Sequence, residues 1–253
     1  MSNWDAIRRE LDIWEEQKRT ASFWWRDDDA KDVTDRLSRM MKIAQSFNIT
    51  VGLSVIPLGH KPKLRDFVFS EKNLAVLVHG YAHVNYACAR QHKSEIGGER
   101  PLPDIVEDLL QGIQIARRAF GQKLLPVMVP PWNQISTRAI QQLPDLGYVG
   151  FSTWKPRPIF EAHPLLVQVN THLDMIDWRH DRKVKDEARI IGLLLRKLRW
   201  RRANPVRAQE PLGLLTHHAL WSREKEQIVV NMLRTTKTHP AARWISPRVA
   251  FGK

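Results

Sequence analysis

The chain alternates between short apolar runs and longer segments with helical periodicity, and this alternation constrains its fold more than any other feature. The apolar runs span residues 22–25, 49–56, 74–78, 124–129, 148–152, 165–169, 212–215 and 244–249. Helical periodicity covers residues 32–47, 103–120, 136–146, 186–202 and 222–235. Runs of roughly four to eight residues separated by helices are typical of parallel α/β proteins. Since no Pro/Gly-rich linker divides the 253 residues, we predict one (β/α) barrel with about seven to eight parallel strands.

The N-terminal residues precede this alternation and read as a separate helix. One stripe within residues 2–19 carries the apolar side chains Trp4, Ile7, Leu11 and Trp14. Such a stripe is typical of an amphipathic helix that packs against a core. We therefore predict an N-terminal helix, residues 1–20, packed on a barrel formed by residues 21–253.

Hydropathy and cysteine content limit the class of protein. No stretch approaches the roughly 20 apolar residues of a membrane helix. The charged N-terminus lacks the apolar core of a signal peptide, so we expect a cytoplasmic protein. The single cysteine, Cys88, excludes an internal disulfide framework and a multi-cysteine zinc site. We expect Cys88 to be a small buried residue, because no basic partner is fixed beside it.

The charge balance favours anionic partners. Forty Lys and Arg residues against 27 Asp and Glu give a net charge of +13, and a field of this sign attracts anions. The excess is concentrated between Arg179 and Arg207. A solvated helix face explains it, but so does contact with an anionic membrane surface or a lipid-linked glycan. In that helix we expect Leu193, Leu194 and Leu198 to face inward and the outer face to carry Arg189, Arg196, Arg199 and Arg202. No zinc-finger spacing or Gly-rich phosphate loop points to nucleic acid.

Polar side chains follow strand after strand of the predicted barrel. Barrels of this type carry their chemistry at the C-terminal ends of the strands. The groups in question are Asp27 to Asp29 after the first run, His79 and His83 after the third, Pro130 to Asn133 after the fourth, Asp174 to Trp178 after the sixth, and His217 and His218 after the seventh. We therefore expect these groups to converge on one site.

Two of these groups have the composition of a catalytic metal site. His79 and His83 stand four residues apart, directly after a strand, within reach of one ion. Two imidazoles and one carboxylate hold zinc and leave one position open, and an aspartate from the first strand end would supply the carboxylate. A neighbouring aspartate would then take a proton from the attacking water. The alternative readings are ordinary core histidines and an acidic helix N-terminus.

In their order, the strand-end motifs resemble those of the polysaccharide deacetylase family, the NodB-homology carbohydrate esterases. The family's Thr-Phe-Asp-Asp corresponds to "RDDD", with Arg26 in the leading position. Its His-x-x-x-His corresponds to "HGYAH", its Arg-x-Pro-Tyr to "VPPW", its Asp-x-x-Asp-Trp to "DMIDW" and its Leu-x-His to "LTH". Val129 stands where the family has the arginine of the third motif. The resemblance spans about residues 22 to 250 and implies a distorted (β/α) barrel.

The resemblance implies a role for each residue of the site. Asp28 would be the general base, and His217 the general acid. Asp29 would bind the metal together with the two histidines, although a shift by one residue would make the pair Asp27 and Asp28. A backbone N–H near Trp132 would stabilise the oxyanion. The residues expected to bind substrate are Trp132, Asn133, Asp177 and Trp178, and Trp221 is a weaker candidate for stacking on sugar.

The implied activity is hydrolysis of the N-acetyl group of an amino sugar in a polysaccharide or glycan precursor. The implied partner is an N-acetylated sugar or oligosaccharide. The implied cofactor is a divalent metal: zinc, with cobalt, manganese and nickel as alternatives. Hydrolysis of another non-peptide C–N bond, in a ureide or cyclic amide, and non-catalytic glycan binding remain as alternative functions. The polar segment 91–101 reads as a lid or clamp over the site, or as a surface connection.

Overall fold

The structure, a computed structural model, describes residues 4–154, 163–178 and 182–253. The helices are α1 Asp5–Glu16, α2 Asp35–Ser46, α3 Pro62–Ser70, α4 Leu102–Phe120, α5 Thr137–Ile140, α6 Glu187–Ala203, α7 Pro205–Ala208, α8 Arg223–Lys237 and α9 Pro247–Ala250. The strands are β1 Ala21–Ala30, β2 Val51–Val55, β3 Leu74–His79, β4 Leu124–Val129, β5 Gly150–Phe151, β6 Val167–Gln168, β7 Leu173–Asp174, β8 Ile176–Asp177, β9 Lys183–Val184, β10 Leu212–His217 and β11 Ala242–Trp244.

One curled parallel sheet organises the molecule. Its strand order is β6-β5-β4-β3-β2-β1-β10-β7, and β11 pairs with the start of β1. Every pair in this sheet is parallel, and helices flank it. The predicted distorted (β/α) barrel is therefore confirmed. Since the strands are parallel, their carboxyl ends meet at one rim.

The central strand β1 alternates between the two layers of the core. Phe23 and Trp25 pack in the larger apolar cluster with the helices, whereas Trp24 packs with Val129 and the other residues of a smaller cluster. Successive side chains of a strand point to opposite faces. Arg26 and Asp28 therefore share the face of Trp24, and both are buried.

Helix α1 contacts both α6 and α8. Ile7, Leu11 and Trp14 are buried, as expected from the apolar stripe. Glu10 is also buried, and its carboxylate accepts a hydrogen bond from Nε of Arg202 at 2.7 Å. An apolar stripe and the ion pairs of Glu10 with Arg199 and Arg202 thus hold α1 on α6.

Two sequence predictions about element boundaries are wrong. The run 244–249 is not a strand: β11 ends at Trp244, and α9 begins at Pro247. Ser246 caps α9 by accepting from the N–H of Val249, and proline at the first helical position favours a helix start. The helix expected over 136–146 is only α5. Helix α3 and the short strands β7, β8 and β9 had no clear signal.

Some of the basic side chains of helix α6 form ion pairs within the molecule. Leu194 and Leu198 are buried as predicted, and Leu193 is half-buried. Arg189 pairs with Asp177 at 2.5 Å, and Arg202 pairs with α1. These contacts give the proposed membrane surface no support. Residues 179–181 of the basic segment lie outside the described residues. Within the described residues, no helix is long and apolar enough to cross a membrane.

Candidate active site

The three consecutive aspartates at the end of β1 point to three different partners. A register shift interrupts the β1–β2 ladder between Asp27 and Ala30, and Asp29 has a φ of 73°. A bulge of this kind changes the direction of the side chains that follow it. Asp27 is directed to His218, Asp28 to Arg26, and Asp29 to the two histidines.

Asp29, His79 and His83 form one cluster of potential metal ligands. Nε2 of His79 lies 2.9 Å from Oδ1 of Asp29, and Nε2 of His83 lies 3.3 Å from the same oxygen. One ligand atom from each residue lies within 4.8 Å of the others. Burial by itself would raise the pKa of Asp29, but hydrogen bonds to both histidines lower it well below its usual value. Asp29 is therefore a carboxylate, the form that binds cations.

The contacts behind the cluster orient its ligand atoms. Nδ1 of His79 lies 2.9 Å from the carbonyl oxygen of Val129 at the end of β4. A carbonyl accepts the Nδ1 proton and leaves Nε2 free to coordinate, as is usual for metal-bound histidine. Two imidazoles and one carboxylate at this separation fit a divalent transition metal such as zinc.

A carboxylate that sequence reasoning did not select, Glu95, supports the loop that carries His83. It is fully buried, and its Oε1 accepts from the backbone N–H groups of Ala82 at 2.8 Å and Val84 at 3.2 Å. Its Oε2 accepts from the N–H of Tyr81 at 3.0 Å. These bonds hold the residues on either side of His83, whose φ is 61°. The only hint in the sequence was an acidic residue within a polar segment.

Part of the segment 91–101, which was expected to form a lid, a clamp or a surface connection, therefore supports the loop that carries His83. Residues 94–97 are buried, and the N–H of Ser136 donates to the carbonyl of Ile96 at 2.9 Å. A Cβ at Gly80 would lie only 1.9 Å from Oε2 of Glu95, so the glycine allows the carboxylate to approach the loop. Lys93, by contrast, is exposed and lines the pocket that the predicted site residues share, which is described below.

Asp28 is buried in an ion pair with Arg26. Nη2 of Arg26 lies 2.8 Å from Oδ2 of Asp28, and neither side chain is more than 3% exposed. Burial alone would raise the pKa of Asp28, but the charge of Arg26, and after it those of His79 and His217, lowers the pKa. Asp28 is thus ionised, as a general base must be.

Arg26 also fixes the loop that follows β4. The same Nη2 donates to Oδ1 of Asn133 at 2.7 Å, and Nη1 donates to the hydroxyl and carbonyl of Ser152. Trp132 and Asn133 have φ values of 54° and 56°, a region that side chains other than glycine seldom occupy. Asn133 lines the pocket as expected, but its amide oxygen is bound to Arg26.

His217 lies beside Asp28 at the end of β10. The two residues are paired in register across β1 and β10. The ring of His217 packs edge-on against Trp178, with centroids 4.8 Å apart. Among the described residues, its buried Nδ1 has no hydrogen-bond partner. Asp174, the first aspartate of "DMIDW", does not bind this nitrogen. Its carboxylate accepts from the indole N–H of Trp178 at 2.7 Å.

Asp27, which had no role in the sequence prediction, binds His218 on the helix side of the sheet. Its Oδ1 lies 2.6 Å from Nδ1 of His218, and its Oδ2 accepts from the hydroxyl of Thr216 at 2.6 Å. Burial would lower the pKa of His218, but Asp27 raises it. The alternative assignment, with Asp27 as the base, would place that base away from the histidine cluster.

The predicted site residues line one pocket of about 790 Å³. Its walls include all the residues predicted for the site: Asp28, Asp29, His79, His83, His217, Trp132, Asn133, Asp177 and Trp178. Trp178 is 47% exposed, whereas Trp221 is only 2% exposed and packs on Trp25. The stacking role considered for Trp221 is therefore wrong. The expectation of a buried Cys88 is also wrong, because that residue is exposed.

Comparison of the structure with solved structures gives the fold a name. A Mycobacterium smegmatis protein proposed to be a polysaccharide deacetylase superposes with a TM-score of 0.64 at 16% identity, over 92% of this chain and 89% of that one. A peptidoglycan N-acetylglucosamine deacetylase gives 0.58 at 13% identity, over 95% and 97%. The chain has the polysaccharide deacetylase fold.

Two further neighbours show the range of activity on this deacetylase fold. A family 4 acetyl xylan esterase from Clostridium thermocellum, solved with a cobalt ion, gives a TM-score of 0.59 at 9% identity, over 91% of this chain and 90% of that one. A family 4 pseudoenzyme from Bacillus anthracis gives 0.57 at 11% identity, over 92% and 66%. At the level of sequence, the chain matches no family model and no curated protein. The resemblance drawn from the motifs is thus confirmed for the fold.

Proposed function

We propose that the protein is a metal-dependent deacetylase that hydrolyses the N-acetyl group of an amino sugar. The observation that carries this proposal is the convergence of five groups in one pocket: Asp28, Asp29, His79, His83 and His217. A pseudoenzyme would need only the fold. Here a complete ligand set, an ionised base and an imidazole stand together.

Each residue has a distinct task in this mechanism. Asp29, His79 and His83 would hold the ion, which polarises a carbonyl and lowers the pKa of a water. Asp28 takes a proton from the attacking water, since Arg26 holds it in place as a carboxylate. A backbone N–H near Trp132 donates to the oxyanion. His217 delivers a proton to the leaving nitrogen, and the amine departs.

The test separates the metal ligand from the base. Asp29→Asn should lose bound zinc in a metal analysis of the purified protein, with acetate release from N-acetylglucosamine oligomers falling in parallel. Asp28→Asn should keep the zinc and lose about 10²- to 10⁴-fold in acetate release, the usual contribution of a general base. Asp32→Asn, a partly exposed neighbour paired with Lys63, is the matched control and should change neither quantity.

Two results would contradict the proposal. If Asp29→Asn binds zinc as well as the unaltered protein does, the ligand assignment is wrong. If the zinc-loaded protein releases no acetate but binds the oligomers, it is a glycan-binding protein. Ammonia or amine release from a ureide or cyclic amide, without acetate release from the sugars, would favour the other C–N hydrolase reading.

A further inference from the structure

The walls of the pocket carry equal numbers of basic and acidic side chains, but these are not all paired with one another. Within the described part of the chain, four Lys or Arg side chains line the pocket together with four aspartates: Lys93, Arg182, Lys185 and Arg189 with Asp28, Asp29, Asp174 and Asp177. The formal charges cancel before any ion binds. A divalent ion adds two positive charges, and Arg26 stands directly behind the pocket wall.

The aspartates of the pocket already have partners. Asp28 pairs with Arg26, and Asp29 contacts both histidines. Asp177 pairs with Arg189 at 2.5 Å. Asp174 accepts from the indole of Trp178 and from the N–H of Ile176 at 2.8 Å. Asp28, Asp29 and Asp177 thus contact basic side chains, whereas Asp174 is hydrogen-bonded to neutral N–H groups.

Two of the cations, in contrast, have no partner among the described residues. Lys93 and Arg182 are exposed, and neither makes a hydrogen bond or an ion pair there. Lys185 differs, because its ammonium donates to the carbonyl of Asp174 at 2.9 Å. Lys93 belongs to the segment beneath the His83 loop, and Arg182 precedes β9. The two cations thus come to the pocket from different elements, one from the connection after β3 and the other from the turn before β9, which pairs with β8 outside the main sheet.

From this distribution we infer that the substrate is an N-acetylated amino sugar that also carries an anionic group, a phosphate or a carboxylate, bound by Lys93 and Arg182. The inference rests on the proposed function and narrows its substrate class. A neutral sugar polymer would leave both cations without a counter-charge, whereas an anion beside the acetamido group would engage them. The aromatic faces of Trp132, Trp154 and Trp178 line the same pocket and offer surfaces to the sugar ring. The net charge of +13 also attracts an anionic glycan.

The experiment compares three tetramers of N-acetylglucosamine that differ only in charge: the neutral tetramer, its 1-phosphate and its C6-oxidised carboxylate. With the zinc-loaded protein, we expect kcat/KM for at least one charged tetramer to exceed that for the neutral one by about tenfold or more. Preference for the phosphate or for the carboxylate identifies the anion. Because exposed charges are screened, this preference should shrink as salt is raised.

The double variant Lys93→Gln/Arg182→Gln should bring kcat/KM for the charged tetramers down to the value that the same variant shows for the neutral tetramer. The matched control is Lys237→Gln/Arg243→Gln, which removes two exposed charges near β11, at the opposite end of β1. It should leave the preference intact.

The two hypotheses fail in different ways. Equal kcat/KM for all three tetramers, or a preference that survives the double variant, would overturn the anionic substrate and leave deacetylation standing. If no tetramer releases acetate, the proposed function fails. Calorimetric affinities for the same tetramers still decide the anion site: tighter binding of a charged tetramer that the double variant abolishes supports it, and equal affinities overturn it.

Discussion

One buried side chain, Arg26, connects the proposed base to the loop that would stabilise the oxyanion. Its guanidinium contacts Asp28 within β1, Asn133 after β4 and Ser152 after β5. Val129, at the position of the family's third-motif arginine, packs in the apolar cluster beneath it. Although Val129 stands at that arginine position, β1 places a guanidinium beside Asp28. We conclude that Arg26 is a positioning residue for both the base and the loop.

Replacing Arg26 should lower turnover while leaving the metal in place. Arg26→Gln removes the charge beside Asp28 and shortens the link to Asn133, so we expect kcat to fall about 10²-fold, the cost of displacing a catalytic group by about 1 Å. KM should change much less, and zinc content should remain at one equivalent. Arg26→Lys should recover part of kcat, since it restores the positive charge but not the planar guanidinium with its several N–H donors. Steady-state kinetics and metal analysis measure these effects.

Because loss of one partner from a buried ion pair costs about 3–5 kcal/mol, folding must be checked in the same variants. Asn133→Ala offers a milder test, since it removes one acceptor of Arg26 and leaves the ion pair. An unchanged kcat in folded Arg26→Gln would show that the guanidinium has only a structural role.

At this scale the sequence predicts part of the site. The spacing of His79 and His83 predicts that both rings come close together, and their centroids lie 5.2 Å apart. A loop rather than a helical turn brings them together, since His79 ends β3 and His83 has a φ of 61°. The distribution of roles among the three aspartates could not be derived from spacing, because it depends on the bulge and on the positive φ of Asp29. Glu95 escaped notice because its partners are backbone N–H groups.

The loop after β3 is held by a later part of the same connection between β3 and α4. Glu95 binds three N–H groups of the loop, and residue Ile96 pairs with Ile135, next to the Trp132 turn. The segment therefore links the loop that carries His83 to the loop that carries Trp132. Helical and strand periodicity cannot reveal such an irregular element, whereas β3, β4 and β10 were predicted to within two residues because each is a continuous apolar run.

Replacing Glu95 should weaken metal binding without touching a ligand. In Glu95→Gln one acceptor oxygen becomes an NH₂ group that faces a backbone donor, so at least one bond that fixes His83 is lost. Loss of such an outer contact typically costs about 10- to 100-fold in metal affinity. We expect zinc affinity, measured by competition with a chelator, to fall within that range. Glu99→Gln, an exposed position in the same segment, is the control, and equal affinities in both variants would contradict the prediction.

At the scale of the whole molecule, the rim formed by the carboxyl ends of the strands carries the candidate site, and the opposite end of the sheet does not. The rim collects the non-glycine residues with positive φ that belong to the site: Asp29, His83, Trp132 and Asn133. Such backbone strain clusters at functional sites and is supported by the surrounding structure. Near the start of β10, His172 and Glu210 are both buried, and Nε2 of His172 lies 3.3 Å from Oε1 of Glu210.

This second buried histidine makes the stability of the fold depend on pH. His172 is 2% exposed, and its Nδ1 accepts from the N–H of Gly213 at 3.1 Å. Burial, only partly opposed by Glu210, lowers its pKa to about 4. Between about pH 6.5 and 4 the unfolded chain therefore takes up a proton that the folded chain does not. More protons bound in the unfolded state means that stability falls as the pH falls.

We expect this single group to remove about 2 kcal/mol from the free energy of unfolding between pH 7 and pH 5. In His172→Asn the side-chain oxygen can still accept from Gly213, but the titrating group is gone. The variant should be less stable at pH 7. Its free energy of unfolding should fall less between pH 7 and pH 5 than that of the unaltered protein, by about 2 kcal/mol. Urea unfolding at both pH values measures the difference. Exposed His92→Asn should keep the original pH dependence, and an equal loss in His172→Asn would show that the burial of His172 does not set it.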